Sequence, residues 1–244
     1  MPDTSLEDAA TRRTVSNTTF RDDYMDDFSI FETEFVQCTF TNCVFDSARI
    51  GLSKFYDCRF TDCSFRDTQL LSCKFYNPAT EKGCVWNRCD LSDARFDTCD
   101  LSHNKLTTCK GFMLHIDDCK ATGAEFEIDV QRQISRRLIV GGIFCHRSNL
   151  SDASFKEQNL EGSTFDCCDL RGANFSRCNL SSVNFVGSNM SGLQLFRADL
   201  TGAKIAYAEI DDLEFDDVLS IDDLLVSRDQ HDKILSFFRI VTDN

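Results

Sequence analysis

Apolar residues recur at every fifth position along most of the chain. From Phe20 the frame is unbroken: Met25, Ile30, Phe35, Phe40, Phe45, Ile50, Phe55, Phe60, Phe65, Leu70 and Phe75. It shifts by one across "YNPATEKGCV" and resumes at Trp86, Leu91, Phe96, Leu101 and Leu106. Gly111 and Ala121 are weak members of this second run, while Ile116 and Phe126 are regular. After another break it returns at Leu150 and passes through Phe155, Leu160, Phe165, Leu170, Phe175, Leu180 and Phe185 to Phe215. A period of five fits neither the 3.6 of a helix nor the 2 of a plain strand. Two residues before each central position stands a small residue, such as Ala48, Ala94, Ala153, Ala173, Ala198 or Ser163. Residues two apart on an extended segment point the same way, so this pair faces inward. The three polar residues between face water. Five residues with two inward and a turn form one side of a coil, and stacked coils pair strands at about 4.8 Å. The pattern predicts an all-β solenoid.

Cysteine falls into the same frame. Twelve of the fourteen cysteines occupy the small inward position, among them Cys38, Cys43, Cys58, Cys63 and Cys178, and only Cys145 and Cys167 do not. A zinc site would need pairs converging with one another or with histidine, yet this spacing repeats far beyond four ligands. Uniform repetition also differs from a framework of discrete disulfides. The thiols are therefore expected to be small core hydrophobes, with no metal and no cofactor.

The repeats "ANFSR" (173–177) and "ADLTG" (198–202) resemble the A-(D/N)-(L/F)-(S/T/R)-x motif of the pentapeptide-repeat family. That resemblance implies a right-handed quadrilateral β-helix with four pentapeptides per coil. About nine coils would follow, spanning roughly 40 Å. The two breaks and the ending "SRDQHDKILSFFRIVTDN" are similar to the Qnr quinolone-resistance proteins, a resemblance that implies protection of DNA gyrase and topoisomerase IV. It further implies one short and one longer loop, the longer being critical, and a closing helix through which two rods join as a homodimer. The second loop's own residues depart from that family, and the C-terminal segment is longer.

The expected organisation is a flexible tail at 1–17 and a β-helix at 18–219, with loops at about 76–83 and 127–143. A helical capping and dimerisation segment follows at 220–244. Ser220 with Asp223 and Ser227 with Gln230 resemble capping boxes, and Leu224, Leu225, Ile234, Leu235 and Phe238 supply the apolar stripe. In the first loop Asn77, Pro78, Glu81 and Lys82 are candidate contacts. In the second, Arg132, Arg136 and Arg137 form a basic island beside Ile134 and Leu138, an interface-like composition. The competing reading is a solvated loop whose apolar residues fold back on the coil.

Charge narrows the function classes. Twenty-six basic residues against forty acidic ones give a net charge of −14, which argues against direct binding of nucleic acid or an anionic membrane. A polar N-terminus and the lack of a long apolar run place the chain in the cytoplasm by expectation. No phosphate loop, HExxH or GxSxG occurs, so no catalytic residues are expected. The reading is a DNA-mimicking, non-enzymatic rod that binds type II topoisomerases. The alternative is a β-helical scaffold or effector for an unrelated protein.

Overall fold

The computed structural model describes residues 5–135, 138–215 and 217–237. The chain winds into a four-sided parallel β-solenoid. On the second side, Phe20, Phe40, Phe60, Trp86, Leu106, Phe126, Phe155, Phe175 and Leu195 stack as nine successive rungs. Nine rungs are eight rises, or about 38 Å at the usual strand spacing. All of these residues are buried.

The polar triplet builds the corners. At the regular corners the residue two after the central one lies at positive φ, for example Asp22 (56°), Asn42 (55°), Asp62 (54°) and Gly172 (68°). Asp, Asn and Gly tolerate this left-handed conformation best, which accounts for their frequency there. The Asn or Asp just before the centre then caps the turn. The Asn174 carboxamide oxygen accepts from the Ser176 N–H at 2.9 Å, and the Asp199 carboxylate accepts from the Thr201 N–H at 3.0 Å.

Inside, like stacks on like. Phe20, Phe40, Phe60 and Trp86 form a column with ring centroids 5.1, 4.8 and 4.2 Å apart. Trp86 requires more than apolar neighbours, and its Nε1–H donates to the buried Asn104 Oδ1 at 2.8 Å. Gly111 is a weak rung for a physical reason. A Cβ there would lie 2.2 Å from Ile128 Cδ1, because Ile128, which stands outside the frame, fills the space.

Thirteen thiols are buried, Cys167 is exposed, and none is in a disulfide. Many donate S–H to a carbonyl of the coil below, as Cys178 does to Phe155 at 2.9 Å and Cys58 to Phe35 at 3.4 Å. Ser188 and Thr68 make the same bond in the same position, at 2.6 and 2.7 Å. Cysteine here fills space and also satisfies a carbonyl. Burial pushes the Cys178 thiol up to about 11 and that of Cys168 up to about 12. Cys145 departs from the frame because it is itself a rung, pairing with Ile116 and Phe165.

Both ends differ from expectation. At the start, Leu6–Ala10 forms a helix capped by Ser5, and Leu6 and Ala9 are fully buried. Thr33 Oγ1 donates to the Ala10 carbonyl at 3.2 Å, so an ordered cap stands where a flexible tail is expected. At the other end the solenoid continues past 219, with Ser220 beside Asp199 and Leu225 beside Lys204. The Ser220 pattern is a corner rather than a helix start: Asp223 has φ 56°, and the Ser220 hydroxyl accepts the Asp222 N–H at 3.1 Å. A short S-x-x-D stretch suits either structure, and stacking on the coil below decides between them. The Ser227–Gln230 box does start the terminal helix, a 3₁₀ turn at Arg228–Gln230 leading into His231–Phe237. Buried Gln230 donates to the carbonyls of Ile205 and Ala208, both at 2.8 Å, and closes the last coil.

Candidate partner-binding site

The first loop is a small hairpin in which Tyr76–Asn77 pairs with Lys82–Gly83. Asn77 is buried and donates to Asp57 Oδ2 at 2.6 Å, while its own oxygen accepts the Ala79 N–H at 3.0 Å. Thr80 reaches the other Asp57 oxygen at 2.7 Å. Asn77 thus holds the loop's shape, and Pro78, Glu81 and Lys82 are the exposed members.

The second loop is a larger antiparallel hairpin, Gln131–Ser135 against Leu138–Gly141. It leaves the third side of the rod after Val130 and returns through Gly142, whose N–H donates to the Val130 carbonyl at 3.0 Å. Its apolar residues do not fold back: Ile134, Leu138 and Ile139 are 58, 50 and 56% exposed. Arg132 does fold back, with its guanidinium carbon 4.1 Å from the centre of the Phe112 ring. Arg136 and Arg137 lie outside the described residues, as does Phe238 at the C-terminus.

The sides of the rod carry unequal charge. Between the Met25 and Leu200 rungs, the third side turns outward Asp26, Asp27, Asp46, Asp67, Asp90, Asp93, Asp129, Glu161 and Asp199. Among the described residues Arg66, Lys110 and Arg132, the last laid over Phe112, oppose them on that side. On the second side, between Phe20 and Leu195, Asp22, Asp62, Glu125, Glu127 and Glu157 face seven cations: Arg21, Arg59, Arg88, Lys105, Lys156, Arg177 and Arg197. Many charges there pair between coils, as in Arg88–Asp62 (2.7 Å), Lys105–Glu125 (2.6 Å) and Arg177–Glu157 (2.9 Å). The Arg88 guanidinium holds the Asp62 carboxyl below its usual range, and Arg177 does the same for Glu157. The third side has one such pair among the described residues, Arg66–Asp46 at 2.6 Å. The acidic side is also the side from which the larger hairpin rises.

Among the described residues no group of His, Cys, Asp or Glu converges as a metal site. No helix among them is long and apolar enough to cross a membrane. Four of the five residues of the expected C-terminal stripe are described. Leu224 and Ile234 pack on the core, as does the neighbouring Phe237, Leu235 is half-buried, and Leu225 is exposed, as are Tyr207 and Leu219.

The model of the family described as pentapeptide repeats matches eight copies, at residues 148–185 and 165–202. Residues 148–202 are an array of pentapeptide repeats. The coils on either side continue the same stack, and the whole has the pentapeptide-repeat β-helix fold. A trypsin-treated variant of QnrB1, a plasmid-mediated fluoroquinolone resistance protein, superposes with a TM-score of 0.69 at 22% identity. That match covers 95% of this chain and 99% of the other. Full-length QnrB1 gives 0.64 at 22% identity, covering 93% of this chain and all of the other. These likenesses establish the fold. Among curated proteins, none matches the sequence.

Proposed function

We propose that this pentapeptide-repeat rod binds a type II topoisomerase, DNA gyrase or topoisomerase IV, on the surface that normally holds DNA. By occupying that surface it protects the enzyme from quinolones. The observation that carries this reading is the charge asymmetry. Among its described residues the third side sets nine carboxylates against three cations, a net six along about 38 Å, or one per roughly 6 Å, against one phosphate per about 1.7 Å in duplex DNA. About a quarter of DNA's linear charge on a straight rod is enough to be steered to a basic saddle, while a free anionic duplex is repelled.

Steering alone is poorly selective. The hairpin supplies the irregular feature, with Ile134, Leu138 and Ile139 offering apolar surface and Arg136 and Arg137 offering cations. Pro78, Glu81 and Lys82 form a lesser contact. Exposed Tyr207, Leu219 and Leu225 at the C-terminal end support a homodimer joined there, and the protein acts in the cytoplasm as a binding protein without catalysis. The fold shared with a fluoroquinolone-resistance protein supports the same reading.

The experiment is gyrase supercoiling in the presence of ciprofloxacin, with and without the purified rod. Supercoiling should recover as the rod is titrated in. If it does not recover with gyrase, and decatenation by topoisomerase IV is likewise unprotected, the rod is a scaffold for another partner.

A further inference from the structure

The larger hairpin joins the rod through a glycine pair. Gly141 and Gly142 lie at φ +150° and +137°, where side chains are rarely tolerated, and a Cβ on Gly141 would lie 2.1 Å from the Val130 carbonyl oxygen. The hydrogen bond from Gly142 to Val130 is the lowest tie across that base. Above it, the backbones of the hairpin strands pair with each other, and at the base the Gln131 side chain donates to the Glu161 carbonyl of the next coil at 3.0 Å. A two-stranded ribbon on a glycine pair has little to fix its direction. Phe112 stands one coil below on the same side, half-buried, with Arg132 laid over its ring.

We infer that Phe112 is a positioning residue: through Arg132 it holds the hairpin at a set angle to the acidic side, so that the apolar tip and the carboxylates are presented together. Arg132 then acts within the molecule rather than as a direct partner contact. Its bearing on protection rests on the function proposed above, but the latch itself does not. A cation over a half-buried ring at the surface shifts an equilibrium by about two- to five-fold, enough to bias the hairpin without locking it.

The test is amide hydrogen exchange at Gly142 in the full-length protein, followed by the ciprofloxacin supercoiling assay. Phe112→Leu keeps an apolar side chain but removes the ring, and Arg132→Gln removes the cation. Each should raise Gly142 exchange about two- to five-fold, while Phe112→Trp, a better cation platform, should hold it at or below the wild-type rate. Unchanged exchange in both Phe112→Leu and Arg132→Gln overturns the latch, and so does an equal rise in Phe112→Trp. If the latch also positions the hairpin for binding, Phe112→Leu needs several-fold more protein for the same protection. Raised exchange with full protection overturns that positioning role and leaves the proposed function standing, whereas a wild-type rod that never protects overturns the function and leaves the latch.

Discussion

The Trp86–Asn104 pair gives a quantitative test of how the repeat accommodates its largest side chain. Trp86 is 1% exposed and Asn104 is fully buried; their hydrogen bond is 2.8 Å, and Asn104 also donates to the Phe75 carbonyl at 3.1 Å. Trp86→Phe preserves stacking on Phe60 but leaves the Asn104 oxygen without its donor. An unpaired buried acceptor costs about 1–3 kcal/mol, and the lost part of the indole adds roughly another 1, for about 2–4 kcal/mol in all. Asn104→Ala strands the indole N–H, while the Phe75 carbonyl keeps the Cys84 N–H at 3.0 Å, and should cost about 1–3 kcal/mol. In the double variant neither indole donor nor carboxamide acceptor remains. Its destabilisation should fall short of the sum by about 1–2 kcal/mol. The assay is guanidinium unfolding followed by far-UV circular dichroism, because Trp86 is the sole tryptophan and fluorescence would be lost with it. Costs that add to within about 0.3 kcal/mol would refute the coupling and reduce Asn104 to a spacer.

Neutralising Asp67, Asp90 and Asp93 on the third side to Asn should weaken protection several-fold at low salt and less at high salt. The same treatment of Asp22, Asp62 and Glu157 on the second side should do little, and equal effects would dismiss the asymmetry. Deleting residues 131–141 should leave circular dichroism and light scattering unchanged while protection drops sharply, whereas excising 78–81 should cost less; full protection after the larger deletion would credit the rod face alone. Cys178→Ala removes a buried S–H donor and should cost about 0.5–2 kcal/mol in thermal unfolding, with Cys178→Ser milder because the hydroxyl can make the same bond. Folded Cys178 and Cys168 are held near 11 and 12 against 9.0 for the free thiol, so the folded state keeps protons that the unfolded chain loses. The thiols' contribution to stability should be flat below about pH 9 and fall towards pH 11–12 by about 1.4 kcal/mol per pH unit per thiol, and an alkaline denaturation profile unchanged by Cys178→Ala and Cys168→Ala would show the thiols to be solvated.

The interior was legible residue by residue. A five-residue period specifies which side chains face in, because that is a local property of an extended segment followed by a corner. The Asn and Asp before each centre carry their own turn geometry, and the cysteines declare themselves by sharing the position of alanine and serine. The hairpins were visible as interruptions, and the Ser227–Gln230 cap as a motif. The ends were less legible, since the segments at 5–16 and 220–225 gain their structure by lying on coils distant in sequence.

What the sequence determined by itself, then, is the coil: inward pair, outward triplet, polar corner. What only the tertiary structure decided is the surface. Residues that share a side are 20 apart in regular coils but 26 or 29 apart where a hairpin intervenes, as in Ser64–Asp90 and Lys120–Asn149. The linear sequence therefore scatters the carboxylates that the third side collects, and separates Arg132 from the ring beneath it. Stacking converts a spacing into a face, and that face is where charge, hairpin and latch meet.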